Sequence, residues 1–189
     1  MASLTREAIL EKLKKRESLA GLDLSNADLS YSNLKNADMK GTNLCGAHLQ
    51  NANLEGANLS EANLENAFLF GSNLKDSNLE KAVLKNANLQ DTNMENACLK
   101  NTDLSGLSMF GVQLDKANLE GADLRGVRMK RASLIGANLK GANLSDAHFQ
   151  RAILKQADLR KAILHGTNLS CSDLSGARTE GADFKDCIQ

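Results

Sequence analysis

From Leu24 to Phe184 every fifth residue is apolar, with one exception. Of these 33 centres, 26 are Leu, four are Met (Met39, Met94, Met109, Met129), two are Phe (Phe149, Phe184) and one, Thr179, is polar. Two residues before each centre runs a ladder of small residues from Leu22 to Ala182. It holds 21 Ala, four Ser and four Thr, and only Leu22, Leu107, Val112 and Val127 are larger. The residue between the two ladders is Asn or Asp at 21 of 33 positions, and the phase never slips. A period of five is neither the 3.6 of a helix nor the bare 2 of a long strand. The local order small, polar, Leu places the small residue and the Leu on one side of an extended segment. The two residues that follow are charged, Gly, Asn or Ser, which is turn chemistry. Each pentapeptide is therefore expected to be a short straight side followed by a corner.

Three extended residues span roughly 10 Å, which is also the spacing of packed sheets. A square of that size closes with its Leu side chains meeting at the centre, so four pentapeptides make a coil of twenty residues. The chain then holds about eight coils, a rod of roughly 40 Å at ~4.8 Å per coil. Unusual residues recur at this interval: Leu107 and Val127 lie twenty apart, as do Met109, Met129 and Phe149, while Phe70 and Phe110 lie forty apart. The Ala-Asn/Asp-Leu-x-x pattern, as in Ala52 to Asn66, resembles the pentapeptide repeat family. That resemblance implies an all-β chain, a right-handed quadrilateral β-helix of about eight coils with Leu stacked inward and Ala beside it. The repeat is expected to occupy residues 22–189, preceded by a short capping α-helix within residues 1–21. For that helix, Thr5 is the expected N-cap, Glu7 lies in the first turn, Ile9, Leu10 and Leu13 form the apolar stripe, and Gly21 is the stop after Ser18. Thr179, smaller than Leu, leaves space in the last coil that Thr179→Leu is expected to fill.

Composition narrows the function classes. The 189 residues carry 23 Lys and Arg against 23 Asp and Glu, with 3% aromatic residues and no proline. A net charge of zero argues against a bulk nucleic-acid binder. No apolar run approaches the roughly 20 residues that span a bilayer, and residues 1–20 are too charged for a signal peptide. The four cysteines (Cys45, Cys98, Cys171, Cys187) are spread along the chain, as in a cytoplasmic protein with reduced thiols. No catalytic motif is present, and a filled Leu core leaves no cleft of the usual ligand-pocket kind. The expectation is a protein that is not an enzyme and carries no metal or other cofactor.

The surface breaks its own rule at twelve middle positions that are neither Asn nor Asp. Five of them (His48, Phe68, Ser108, Arg128, His148) share one side of the coil. The corner after that side carries Phe70, Phe110, Lys130, Arg131 and Arg151. Exposed aromatics and Arg are usual at interfaces, so Phe68, Phe70, Phe110, Arg128, Lys130, Arg131, His148 and Arg151 form the candidate partner-binding strip. Charge is also uneven: residues 125–161 hold nine basic and two acidic residues, whereas residues 21–100 hold six basic and ten acidic. The leading expectation is a rigid scaffold for protein–protein interaction with a protein partner. Two alternatives stand beside it. Some members of the resembled family mimic DNA and bind gyrase, a role that leans on an acidic rod, projecting loops and a C-terminal dimer; this chain departs in charge and in lacking insertions. The opening segment is also loosely similar to helix-plus-repeat segments of bacterial secretion adaptors. Phe184, Cys187 and Ile188, at an uncapped last coil, are the candidate surface for a homodimer.

Overall fold

The computed structural model describes residues 4–188. It opens with helix α1, Arg6–Lys14. Thr5 Oγ1 accepts from the Ala8 amide at 3.3 Å, and Glu7 in the first turn with Lys12 and Lys14 in the last suit the helix dipole. The helix is shorter than the sequence suggests. The Glu17 amide donates to the Lys12 carbonyl and the Arg16 amide to that of Leu13, both at 2.9 Å, with Arg16 in the left-handed region at φ 59°. This Schellman closure ends the helix before Ser18. Gly21 is not its stop, because at φ 69° it already forms a corner of the first coil. The cause lies one pentapeptide upstream of Leu24: Leu19 is fully buried, and its amide donates to the Asp38 carbonyl at 2.8 Å, so this stretch belongs to the coils. Ile9 is fully buried beneath α1, and the Arg6 guanidinium donates to the Asp28 and Ser30 carbonyls at 2.8 Å, tying the helix to the first coil.

Beyond α1 the chain climbs in coils of twenty residues. Outward middle residues pair in parallel with those twenty positions later, from Asp23 with Asn43 to Asn168 with Ile188, save at two places. The Leu54 amide donates up to the Asn73 carbonyl at 2.7 Å, and the Asn73 amide donates down to the Ala52 carbonyl at 2.9 Å. Each side contributes one paired residue rather than a longer strand, because a turn closes on both flanks, as where the Ala57 amide donates to the Leu54 carbonyl at 2.9 Å. The second corner residue always has positive φ, from Arg16 to Asp186 in steps of five, and all fourteen glycines lie there. Such corners need the left-handed region, which Gly enters freely and Asn and Asp tolerate. Gly46 has a second reason: a Cβ there would stand 2.5 Å from Asn26 Oδ1 of the coil below.

Leu, Met and Phe centres are buried from Leu19 to Leu169. The Thr members of the small ladder are satisfied across coils, as where Thr42 Oγ1 donates to the Leu19 carbonyl at 2.8 Å; Ser77 Oγ donates within its own turn to the Leu74 carbonyl at 2.6 Å, and the buried hydroxyls of Ser32, Ser72 and Ser172 have no partner among the described residues. The last coil corrects the expectation of a uniformly buried ladder. Leu174 and Phe184 are half-buried and Thr179 is exposed, since no described residue stacks above them. Position 179 therefore has no enclosed space for a larger side chain to fill.

The stacking is interrupted once within the rod. Between residues 82–89 and 102–109, two of the four sides lack the pairings Val83–Asp103 and Asn88–Ser108, while Asn93–Gln113 and Cys98–Asn118 hold on the other two. The amides of Leu84, Leu89, Asp103 and Ser108 make none of the cross-coil bonds that their counterparts make, such as Leu64 to Val83 at 2.7 Å. Shallow grooves of about 460 and 270 Å³ follow this seam. Leu107 lines both grooves at a small-ladder position, between Ala87 and Val127 in the stack. Overpacking by a side chain larger than the usual Ala is the physical cause we assign to the gap.

Candidate functional site

The outward surface is built on one repeated interaction. All 21 Asn and Asp residues at middle positions from Asp23 to Asp183 accept, through Oδ1, the amide of the residue two places on. Examples are Ser25 to Asp23 at 3.1 Å, Glu80 to Asn78 at 3.0 Å and Gln90 to Asn88 at 3.2 Å. This Asx bond pairs the first corner amide, which has no backbone acceptor. At five of the nine middle positions where Asn stacks on Asn or Asp, its Nδ2 also donates to the side chain of the coil below, as from Asn63 to Asn43 at 3.2 Å and from Asn138 to Asn118 at 3.1 Å.

These bonds favour the ionised form of Asp23, Asp28, Asp38, Asp123, Asp158, Asp173 and Asp183. The Ser25, Ser30 and Ser175 hydroxyls and amides hold Asp23, Asp28 and Asp173 below the usual carboxylate range. The Arg160 guanidinium, 2.5 Å away, brings Asp158 from 3.8 to about 2. A depressed folded-state pKa contributes stability that is present above the unfolded value and lost as pH falls through the folded one. Asp158→Asn keeps the Asx acceptor and removes the charge. It is expected to lower the melting temperature above about pH 4 and to converge with wild type as pH approaches about 2. Parallel thermal melts from pH 7 to pH 2 check this; a gap that persists at the acid end contradicts it.

The Asx bond is missing at the twelve middle positions that are neither Asn nor Asp, and five of these lie on the strip. With His48, Phe68, Ser108, Arg128 and His148 at the middle position, the amides of Gln50, Phe70, Phe110, Lys130 and Gln150 have no acceptor among the described residues. Phe110, Lys130 and Gln150 form the one run of such amides across three adjacent coils. On the next side, where Gln113, Ser133 and Ile153 also break the rule, Asp115 Oδ1 accepts from the Ile135 amide at 2.9 Å.

The structure brings the expected residues of the strip onto one column. Phe68, Phe70 and Phe110 are about two-fifths exposed. His48 lies against Phe68 with ring centroids 4.9 Å apart, and the Arg131 guanidinium sits 5.7 Å over the Phe110 ring. Arg128 pairs with Ser108 below and His148 above. Ser108, Phe110, Arg128, Lys130 and His148 line a shallow pocket of about 230 Å³. Two features of this column escaped the sequence reading. One is the row of free amides, whose signal was Asx chemistry at the middle position. The other is Tyr31, 76% exposed at a positive-φ corner in register with Arg131 and Arg151; its signal was the lone tyrosine at a corner position. Exposed apolar side chains are not confined to the strip, since Val83, Ile153 and Ile163 project from other sides.

Of the nine basic residues in 125–161, Arg125 pairs with Asp123 at 2.6 Å, Lys155 with Asp173 at 3.2 Å and Arg160 with Asp158. Arg128, Lys130, Arg131, Lys140, Arg151 and Lys161 form no ion pair among the described residues, and four of these six belong to the strip. At the far end, Ile188 is 53% exposed, while Phe184 and Cys187 are half-buried. Cys187 Sγ donates to the Thr167 carbonyl at 3.1 Å, and burial pushes its thiol pKa up. All four cysteines are free, no cluster of His, Cys, Asp or Glu among the described residues could hold a metal, and no described helix is long and apolar enough to cross a membrane.

The coil geometry agrees with comparisons to known proteins. The family model described as pentapeptide repeats matches in eight copies, over residues 18–44, 37–76, 69–106, 108–151 and 142–178. No curated protein sequence matches at a significant level. Among solved structures, HetL of the cyanobacterium Nostoc sp. strain PCC 7120, involved in heterocyst differentiation regulation, is 32% identical over 98% of this chain and 97% of its own, with a TM-score of 0.41. A trypsin-treated form of QnrB1, a plasmid-mediated fluoroquinolone resistance protein, is 19% identical over 88% of this chain and 85% of its own, with a TM-score of 0.60. With its repeats matched by the family model and its middle residues paired twenty apart, the chain belongs to the pentapeptide repeat family, whose fold is the right-handed quadrilateral β-helix.

Proposed function

We propose that this protein is a rigid, non-enzymatic scaffold that binds a protein partner through the column running from His48 to Arg151. The observation that carries this reading is local: one side abandons the Asx bond in five coils and presents aromatic and unpaired basic side chains instead. A surface selected only for stability keeps Asn or Asp at these positions, because an unpaired corner amide gives up a hydrogen bond worth about 1 kcal/mol. The likeness to QnrB1 supports the fold alone. A topoisomerase-binding role by DNA mimicry needs an acidic surface, and the strip is basic. Capture from a source lysate with wild-type protein and a Phe68→Ala/Phe70→Ala/Phe110→Ala variant tests the reading, with circular dichroism confirming that both are folded. The expected result is a defined partner retained by wild type and lost by the variant; identical captured sets contradict it.

A second surface has its own observation. The open face of the last coil leaves Leu174 and Phe184 half-buried and Ile188 exposed, and a second copy stacked on this face would cover them. One coil in cross-section is small against the roughly 1,200 Å² of a stable interface. A monomer–dimer equilibrium is therefore expected, with Phe184→Asp shifting it to monomer in sedimentation equilibrium. A wild type that stays monomeric at high concentration contradicts this.

A further inference from the structure

In the locked coils, the oxygen that accepts the corner amide belongs to an outward side chain two residues before it. At Phe110, Lys130 and Gln150 the same corner amide has no acceptor among the described residues, with Ser108, Arg128 and His148 in place of the Asn or Asp. Arg128, Lys130, Arg131 and Arg151 surround the row, and none has a carboxylate partner among the described residues. Arg131 is steadied over the Phe110 ring. Backbone donors in register with unpaired guanidinium and ammonium groups make a site for anionic oxygens.

Building on the proposed protein-binding role of this strip, we infer that the column at Phe110, Lys130 and Gln150 takes carboxylates from an acidic helix of the partner, each replacing the Asx oxygen that the rod's own sequence omits. The spacing favours a helix. Adjacent coils are ~4.8 Å apart, so three amides span about 9.6 Å. Asp or Glu at i, i+3 and i+7 of a helix rise over about 10.5 Å. Alternate residues of an extended strand would span about 13 Å. Phosphates along one duplex strand rise ~3.4 Å each and fall out of register. The rest of the rod also disfavours a long polyanion, since residues 21–100 carry ten acidic against six basic residues. The occupant is therefore short in its negative charge. Its far end meets the seam, where Lys85, Gln90, Ser108 and Arg128 line a groove of about 460 Å³.

Neutral substitutions separate this site from general electrostatic attraction. Ser108→Asn with His148→Asn supplies Asx acceptors to Phe110 and Gln150 and leaves Arg128, Lys130, Arg131 and Arg151 in place. The probe is an alanine-based helical peptide with Glu at i, i+3 and i+7, compared with the same peptide bearing Gln and with a short single-stranded DNA. The readout is the amide resonances of the isotope-labelled rod. The expected result is a saturable shift of Phe110, Lys130 and Gln150 with the Glu peptide. The double variant should fold at least as stably as wild type and bind roughly tenfold or more weakly, the value of about 1.4 kcal/mol in lost charge-assisted hydrogen bonds. Absence of a saturable shift, an equal shift with the Gln peptide, tighter binding of the DNA, or undiminished binding by the double variant overturns the assignment. If the Glu peptide fails while the aromatic triple variant still loses its captured partner, the acidic helix is wrong and the strip reading stands.

Discussion

Leu139→Asp is expected to unfold the upper half of the rod. Leu139 is fully buried between Leu119 and Leu159, both also fully buried, and its amide donates to the Asp158 carbonyl at 2.8 Å. Truncating a buried Leu alone costs about 2–5 kcal/mol. A carboxylate at the same place has no described partner among stacked Leu, Met and Phe side chains, and an isolated buried charge costs far more than the lost packing. The combined loss exceeds ~5 kcal/mol, a fall of at least ~10 °C in melting temperature for a chain of this size. Leu139→Met is the control. Met already stands at four centres, and a volume-conserving exchange costs less than about 1.5 kcal/mol. Calorimetry on both variants checks the pair; an Asp variant that melts within about 2 °C of wild type would mean that the centres do not meet in a dry core.

Asn118→Ala combined with Asn138→Ala is expected to cost roughly 2–4 kcal/mol, although neither residue contributes to the apolar core. Three bonds disappear together: Glu120 amide to Asn118 at 3.2 Å, Lys140 amide to Asn138 at 3.1 Å, and Asn138 Nδ2 to Asn118 Oδ1 at 3.1 Å. Replacing both with Asp should fall between wild type and the Ala pair at pH 7. That variant keeps both corner acceptors, loses the cross-coil donor and places two carboxylates one above the other. Urea denaturation orders the three proteins. An Ala pair as stable as wild type would show that the Asx bonds merely decorate the surface.

The coil of twenty was legible because Leu recurs every five residues without a slip, and four sides of about 10 Å close on stacked Leu. The corner at every second turn residue was legible in the Gly, Asn and Asp found there. The end of α1 was not. Gly21 looked like the natural stop, but the Leu19 amide pairs with Asp38 of the next coil and pulls the preceding residues out of the helix. At Thr179 the sequence predicts a gap in a closed core, whereas no described residue lies above it. The seam had one visible cue, Leu107 among alanines. Val112 and Val127 are also oversized in that ladder, yet the pairings beside them hold. Single-residue bulk therefore did not show where stacking would fail. The strip was visible as a lapse from Asn and Asp, but its chemistry was hidden until the 21 intact Asx bonds showed what the lapse removes.

Hydrogen exchange at the corner amides, in the free rod and in the complex captured by wild-type protein, is the direct test of the strip as a recognition surface. In the free rod, the amides of Phe110, Lys130 and Gln150 should exchange quickly, while that of Gln90, held by Asn88 on the same column, should be protected. In the complex those three amides should slow and the remaining surface should stay unchanged. Free-rod protection equal to that of Gln90, or fast exchange that persists in the complex, contradicts it.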